Sequence, residues 1–183
     1  MAEEVTTLDL RALDLAPGAV ERRRVRVSPV ALRLGGQDYV TVPAAPEVDV
    51  ELARSLSGLH LRLRAAVELS GPCWRCLAPA RIPLAVDARE FAAEGREGEE
   101  FDEDLDCACV EGVAVDLALW VRDSIAEAVP ATILCRDDCA GLCPVCGGDL
   151  NVTACGCVVE SRDPRWDALR EVAERLGREP GAA

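Results

Sequence analysis

The chain has 183 residues, half of them hydrophobic and only 3% aromatic, with a formal net charge of −13. This length suits one domain with an appendage or two small domains, and the charge argues against non-specific binding of nucleic acid, which needs a positive field. The first ten residues resemble no secretory signal, and no apolar run approaches the roughly 18 residues of a membrane span. We therefore expect a cytoplasmic protein without a membrane partner.

The charges are unevenly placed along the chain. Residues 11–33 contain six arginines against Asp14 and Glu21, whereas residues 94–106 contain eight acidic residues against Arg96. The acidic stretch predicts a solvated loop, or alternatively a protein-docking segment. The arginines can still form a basic patch on an otherwise acidic protein.

The first two-thirds of the chain predict a sheet. The first 45 residues read as extended segments broken by Pro17-Gly18 and Gly35-Gly36, and we expect them to join it. From Leu59 to Leu69, apolar residues alternate with His60, arginines and Glu68, which is typical of a half-buried strand. Residues 48–52 and 82–88 alternate in the same way, so the pattern predicts an antiparallel meander with Pro83 at an edge or strand start.

Two helices follow. Apolar spacing predicts a helix from Asp116 to Val129, stopped by Pro130, and a second from Asp163-Pro164 to Gly177. We interpret Trp120 and Trp166 as core anchors. The predicted fold is α+β: an antiparallel β-meander with a packed helix in residues 1–133, then a cysteine-rich, zinc-ribbon-like module with the final helix in residues 134–183.

Ten cysteines carry the strongest chemical signal. In a reducing cytosol they indicate metal ligands rather than disulfides. Residues 143–148, Cys-Pro-Val-Cys-Gly-Gly, have the form of a zinc knuckle, and Cys155-Gly156-Cys157 supplies a second pair of ligands. The sequence therefore predicts one zinc ion on Cys143, Cys146, Cys155 and Cys157.

The other cysteines predict a second zinc ion. We assign it to Cys73, Cys76, Cys135 and Cys139, since both pairs sit at the ends of predicted elements. A rival partition places residues 135, 139, 143 and 146 on one ion and residues 73, 76, 155 and 157 on the other. We interpret Cys107 and Cys109 as two spare thiols in a loop.

No catalytic constellation stands out. Sites closed by four cysteines leave no open position on zinc, so they indicate a structural role. The single histidine, His60, is predicted on the outward face of a strand. No phosphate-binding glycine loop or nucleophile–base set is evident, so a zinc enzyme is the least favoured interpretation.

The cysteine motifs together resemble a known family. Residues 73–77 read Cys-Trp-Arg-Cys-Leu, residues 135–151 read Cys-Arg-Asp-Asp-Cys-Ala-Gly-Leu-Cys-Pro-Val-Cys-Gly-Gly-Asp-Leu-Asn, and residues 163–166 read Asp-Pro-Arg-Trp. Nearly the whole chain is similar to the bacterial YceD family, also called the large ribosomal RNA subunit accumulation protein family. Asp149 stands where the family pattern has Asn, and Cys107 and Cys109 lie outside that pattern.

The resemblance implies a non-enzymatic role in making or keeping large-subunit ribosomal RNA. On a chain of charge −13, RNA contact must be confined to a patch. The candidate contacts are Arg22, Arg23, Arg24, Arg26, Arg62, Arg64, Arg75 and Arg81. The alternative is an adaptor whose acidic loop, residues 94–106, holds a basic ribosomal protein or assembly factor.

Overall fold

The computed structural model describes residues 4–13, 15–28, 30–93, 107–158 and 166–177. The chain divides into two compact units, Met1–Cys139 and Ala140–Ala183. Cys135 and Cys139 therefore belong to the first unit, and the division lies further along the chain than residue 133. The acidic segment 94–106 and the expected helix start at Asp163-Pro164 lie outside the described residues.

The first unit consists mostly of strands. A seven-stranded sheet has the order β1-β3-β6-β7-β5-β4, with β8 also paired to β7, and a smaller sheet has the order β2-β10-β9. The strands are β1 (Glu4–Val5), β2 (Thr7–Asp9), β3 (Val20–Val27), β4 (Ala31–Leu34), β5 (Gln37–Val42), β6 (Glu47–Arg54), β7 (Gly58–Pro72), β8 (Pro79–Ala93), β9 (Val110–Glu111) and β10 (Ala114–Asp116), with a 3-10 turn at Arg11–Leu13.

The long strand β7 is the centre of the larger sheet. One edge pairs with β8 along its whole length, whereas the other edge is shared by β6 and then β5. Strands β6, β7 and β8 thus form the expected antiparallel meander, and β3 to β5 join it as expected of the first 45 residues. The sheet is more than a meander, because β5 returns to β7 and β1 lies parallel to β3.

The alternating pattern buries one face of the sheet. The apolar set predicted to point inward on β7 is buried at Leu59, Leu61, Leu63, Val67 and Leu69. Burying each such side chain contributes about 1.5–3 kcal/mol, which makes this face the core of the unit. Pro83 lies on β8, which pairs only with β7 among the described strands, so the expectation of an edge position is confirmed.

Helix α1 (Leu117–Ala128) matches its prediction closely. The Asp116 carboxylate accepts the backbone N–H of Leu119 at 2.9 Å and caps the first turn, and Val129 is the C-cap. The apolar face packs against β8 and buries Trp120, which confirms that residue as a core anchor.

Helix α2 (Asp167–Gly177) belongs to the second unit. Trp166 directly precedes it and is 57% exposed, so the prediction of a core anchor there is wrong. Helical periodicity identifies an apolar side of a helix, but it does not say whether another element covers that side.

Close packing at one glycine allows a stability test. A Cβ on Gly71 would overlap the ring of Tyr39, which is fully buried and whose hydroxyl donates to the Pro72 carbonyl at 2.9 Å. Gly71→Ala should therefore lower the free energy of unfolding by about 1–3 kcal/mol, measured by urea denaturation. Ala66→Ser, on the exposed face of the same strand, should change it by less than about 0.5 kcal/mol. Equal unfolding midpoints for the two variants would contradict this packing.

Candidate metal centres and arginine face

The first cysteine cluster lies inside the first unit. The sulfur atoms of Cys73, Cys76, Cys135 and Cys139 all lie within 4.8 Å of one another. Cys73 Sγ is 3.8 Å from Cys139 Sγ, and Cys76 Sγ is 3.6 Å from Cys135 Sγ. A tetrahedron with metal–sulfur bonds of about 2.3 Å has edges of about 3.8 Å, so the four thiols fit a zinc-sized ion.

The turn between β7 and β8 shapes this cluster. The Cys73 N–H donates to the Ala78 carbonyl at 2.8 Å, the Leu77 N–H donates to the Cys73 carbonyl at 3.0 Å, and the Arg75 N–H points at Cys73 Sγ at 3.4 Å. Leu77 takes a left-handed φ of 62°, which closes the turn. The turn therefore brings the sulfurs of Cys73 and Cys76 into one cluster and directs one amide at the first of them.

The segment after α1 completes the cluster. The Trp74 N–H donates to the Ile133 carbonyl at 2.8 Å, and Arg75 Nη1 donates to the Cys139 carbonyl at 2.8 Å. These two bonds hold the chain around Cys135 and Cys139 against the β7–β8 turn. The tip of a hairpin and the exit from a helix are thus joined at a cluster of thiols, of which Cys135 alone is exposed.

The second cluster lies inside the second unit, where Cys143, Cys146, Cys155 and Cys157 bring their sulfurs within 4.8 Å of one another. Its turn repeats the first one, bond for bond. The Cys143 N–H donates to the Gly148 carbonyl at 2.8 Å, and the Gly147 N–H donates to the Cys143 carbonyl at 2.8 Å. Gly147, with a φ of 72°, stands where Leu77 stands in the first turn.

Two polar side chains stabilise the loop between the turn and the second pair of cysteines. The Asp149 carboxylate accepts the backbone N–H of Asn151 at 2.9 Å and its side-chain amide at 2.7 Å. The Asn151 side-chain carbonyl oxygen accepts the Ala140 N–H at 2.7 Å. Asp149 therefore fits the place of the family's Asn, because the position needs an acceptor.

The turns make one thiol in each cluster easier to ionise. Backbone N–H groups of Cys146 and Val145 lower the pKa of Cys143 to about 6. Burial opposes ionisation of Cys73, but N–H groups of Cys76, Arg75 and Cys135 outweigh it and lower its pKa to about 6. The neighbouring Cys146 and Cys155 thiols instead raise the pKa of Cys157 to about 12. Four thiols this close lose their protons one after another unless a cation offsets the charge.

The structure distinguishes between the two proposed ways of dividing eight cysteines between two ions. Each cluster combines the pairs of the first partition, and the rival partition corresponds to neither cluster. Cys107 and Cys109 lie outside both clusters, in a loop as expected, but they are buried, with 7% and 5% exposure. Burial, with the Cys107 thiol nearby, raises the pKa of Cys109.

The outward side of the large sheet carries paired charges. We use the name arginine face for the outward side of β3, β6 and β7, with Arg22, Arg24, Arg26, Arg62 and Arg64. On β3 the arginines stand opposite carboxylates of β6, and their ion pairs measure 2.6 Å for Arg22–Glu51, 2.7 Å for Arg24–Asp49 and 3.2 Å for Arg26–Glu47. This row of ion pairs was not predicted from the sequence. The pattern that indicates it is the alternation of acids at positions 47, 49 and 51 with buried apolar residues.

Strand β7 adds a second row of arginines to the arginine face. Arg62 pairs with Asp87 of β8 at 2.6 Å, whereas Arg64 approaches that carboxylate only to 4.0 Å. The hydrogen bond from Arg62 lowers the pKa of Asp87, and that from Arg24 lowers the pKa of Asp49. These carboxylates therefore stay ionised, and the pairs hold, until the pH falls below the ordinary carboxylate range.

The two basic rows enclose a surface depression of about 410 Å³. Its lining includes Arg22, Arg24, Arg62 and Arg64 as well as Asp49 and Glu51. The guanidinium groups converge there, but they share the depression with acids. A polyanion that binds here has to compete with the protein's own carboxylates.

The remaining candidate arginines lie elsewhere or are otherwise engaged. Arg23 pairs with Glu21 at 2.9 Å, and Arg81 pairs with Glu68 at 3.1 Å. Arg75 donates to the Cys139 carbonyl and so supports the first cysteine cluster. His60 is exposed, as expected, and its ring contacts Phe91 with a centroid distance of 4.7 Å.

Comparisons with known proteins support the family resemblance that the cysteine motifs indicate. The sequence model of the family described as large ribosomal RNA subunit accumulation protein YceD matches residues 60–173. The chain is 31% identical over 170 residues to the uncharacterized proteins Mb2951c of Mycobacterium bovis and Rv2926c of Mycobacterium tuberculosis. The alignment covers 91% of this chain and 80% of each relative.

No solved structure matches the chain significantly. No helix in the described ranges is long and apolar enough to cross a membrane. The family match extends over both cysteine clusters and the central hairpin. The chain therefore belongs to the large ribosomal RNA subunit accumulation protein family, YceD.

Proposed function

We propose that this protein is a non-enzymatic factor of the cytoplasm that supports the synthesis, processing or stability of large-subunit ribosomal RNA. Family membership carries this proposal, because the matched segment spans residues 60–173 and includes the cysteines of both clusters.

In this proposal, two zinc ions would stabilise the folded protein. Each cluster offers four thiols at distances that suit tetrahedral zinc, and a four-cysteine site leaves no position for water or substrate. Zinc would then supply folding free energy rather than Lewis-acid chemistry. On this basis residues 140–158 would form a small zinc-ribbon-like module, and Cys73, Cys76, Cys135 and Cys139 would bind the other ion.

The arginine face is the RNA contact that the geometry supports best. Guanidinium groups bind phosphate through paired hydrogen bonds, and five of them lie on this side of the sheet. The acids between them lower the general attraction for nucleic acid, which suits a selective contact on a chain of net charge −13. The other three arginines are weaker candidates. Arg23 borders the depression but pairs with Glu21, Arg81 pairs with Glu68, and Arg75 supports the cysteine cluster.

Crosslinking in growing cells tests the function as a whole. Ultraviolet crosslinking followed by sequencing should enrich large-subunit ribosomal RNA or its precursor at defined positions. Recovery of ribosomal proteins or assembly factors alone, without an RNA crosslink, would overturn direct RNA contact. That result would favour the adaptor, and neutralising the acidic residues within 94–106 should then abolish the protein contact.

Metal analysis tests the two zinc sites. Protein purified under reducing conditions should contain about two zinc ions per chain. Cys76→Ser and Cys146→Ser should each leave about one ion, because each cluster lies inside its own unit. Cys109→Ser is the matched control: it removes a buried thiol outside both clusters and should keep both ions. One ion or none in the unmodified protein would refute the two-site assignment.

Two double substitutions test the arginine face: one removes negative charges and the other removes positive charges. Asp49→Asn with Glu51→Gln removes the competing acids and should tighten binding to large-subunit ribosomal RNA. Arg62→Gln with Arg64→Gln should weaken it, and the slope of log affinity against log salt should become shallower by about 1 for each phosphate that is no longer neutralised. Filter binding at several salt concentrations measures both effects.

The fold should survive these changes, since exposed ion pairs contribute only about 0–1 kcal/mol each. Arg33→Gln, which changes an exposed arginine on β4, serves as the control and should leave RNA affinity unchanged. If both sets of variants bind RNA like the unmodified protein, the RNA-binding surface lies elsewhere.

A further inference from the structure

Trp74, in the turn between β7 and β8, has an anchored backbone and a side chain that is open to solvent. Trp74 lies between two metal-ligand candidates, Cys73 and Cys76, and is 52% exposed. Its backbone N–H donates to the Ile133 carbonyl at 2.8 Å. The indole therefore offers apolar surface at a turn whose backbone is anchored to a neighbouring segment.

The ring lies beside the sheet, close to the strand end where the hydroxyl of the buried Tyr39 donates to the Pro72 carbonyl at 2.9 Å. The β4–β5 turn passes alongside, where a Cβ on Gly35 would stand 3.2 Å from Cζ2 of the indole. This close approach restricts the ring, so the indole loses less side-chain freedom when a ligand binds to its open surface.

The surroundings suit a flat ligand better than a protein surface. The turn beside the ring consists of Gly35 and Gly36, which bear no side chains that would obstruct a plane laid on the indole. Arg75, the next residue, donates to the Cys139 carbonyl at 2.8 Å and places a positive charge on the same turn. A protein hot spot is instead ringed by further packed side chains, whereas this turn has one other exposed apolar side chain, Leu77.

We propose that Trp74 is a stacking platform for an unpaired nucleobase of large-subunit ribosomal RNA. This inference rests on the proposed function and deepens it by assigning a contact separate from the arginine face. Single-stranded RNA is commonly bound by bases stacked on aromatic side chains, with cations nearby for the phosphates. The arginine face would bind the backbone, and Trp74 would select places where a base is unpaired.

Affinity for large-subunit ribosomal RNA tests the platform. Trp74→Ala should weaken binding about ten-fold, within the range expected for one stacked base, whereas Trp74→Phe should retain most of the affinity. Trp166→Ala is the matched control, because it removes a tryptophan of similar exposure, 57%, that belongs to the second unit. It should bind like the unmodified protein, and all variants should keep their zinc content and unfolding midpoint.

A substitution at Leu77 distinguishes a nucleobase partner from a protein partner. Leu77 is the other exposed apolar side chain of the turn, and Leu77→Asn removes it while suiting the φ of 62°. Base stacking predicts that this variant binds RNA normally. If Trp74→Ala and Leu77→Asn both fail to bind a ribosomal protein while their RNA affinity is unchanged, the inference is overturned in favour of protein docking.

The outcomes also distinguish this inference from the proposed function. If the unmodified protein binds ribosomal RNA and Trp74→Ala binds it equally well, the platform is refuted and the proposed function stands. If the unmodified protein neither binds nor crosslinks to ribosomal RNA, direct RNA contact and the platform are both refuted.

Discussion

The pairing of β7 with β8 over Gly58–Pro72 and Pro79–Ala93 is the constraint on which the rest of the first unit depends. Its register sets Arg62 and Arg64 beside Asp87 on the outward side and sends the leucines of β7 into the core. The same register ends at a tight turn, which places Cys73 and Cys76 at the tip of the hairpin. A slip of one residue would turn the core side chains outward and break up the cysteine cluster.

Both cysteine turns use one backbone design at unrelated places in the fold. The same three hydrogen bonds recur around Cys73 and Cys143, and a residue with a left-handed φ follows the second cysteine in each. Gly147 adopts this conformation without strain, whereas Leu77 adopts it at a cost in free energy and with a side chain that is largely exposed. Metal binding offers a reason for keeping an unfavourable residue conformation, because four ligands must converge.

In the proposed function, the charge pattern would let an acidic protein contact RNA through one face of the sheet. Charges of opposite sign lie on neighbouring strands of the sheet, so Arg22 and Arg24 already have carboxylate partners when the protein is alone. Non-specific attraction is thereby reduced, while guanidinium groups stay ordered for a ligand that displaces the acids. The proposed platform, the Trp74 indole, would add an interaction that depends on base exposure rather than on charge.

Local patterns were sufficient for much of this protein. The alternation in residues 48–52, 59–69 and 82–88 predicted β6 to β8. Asp116 and Pro130 marked the limits of α1, and the spacing of Cys143 and Cys146 indicated a knuckle. Each of these signals depends on neighbours in the chain. Only the tertiary structure decided how the cysteine pairs combine, which acids neutralise Arg22 and Arg24, and that Trp120 is buried while Trp166 is exposed. Those outcomes depend on residues far apart in sequence, and the energies that bring them together are not visible in any local pattern.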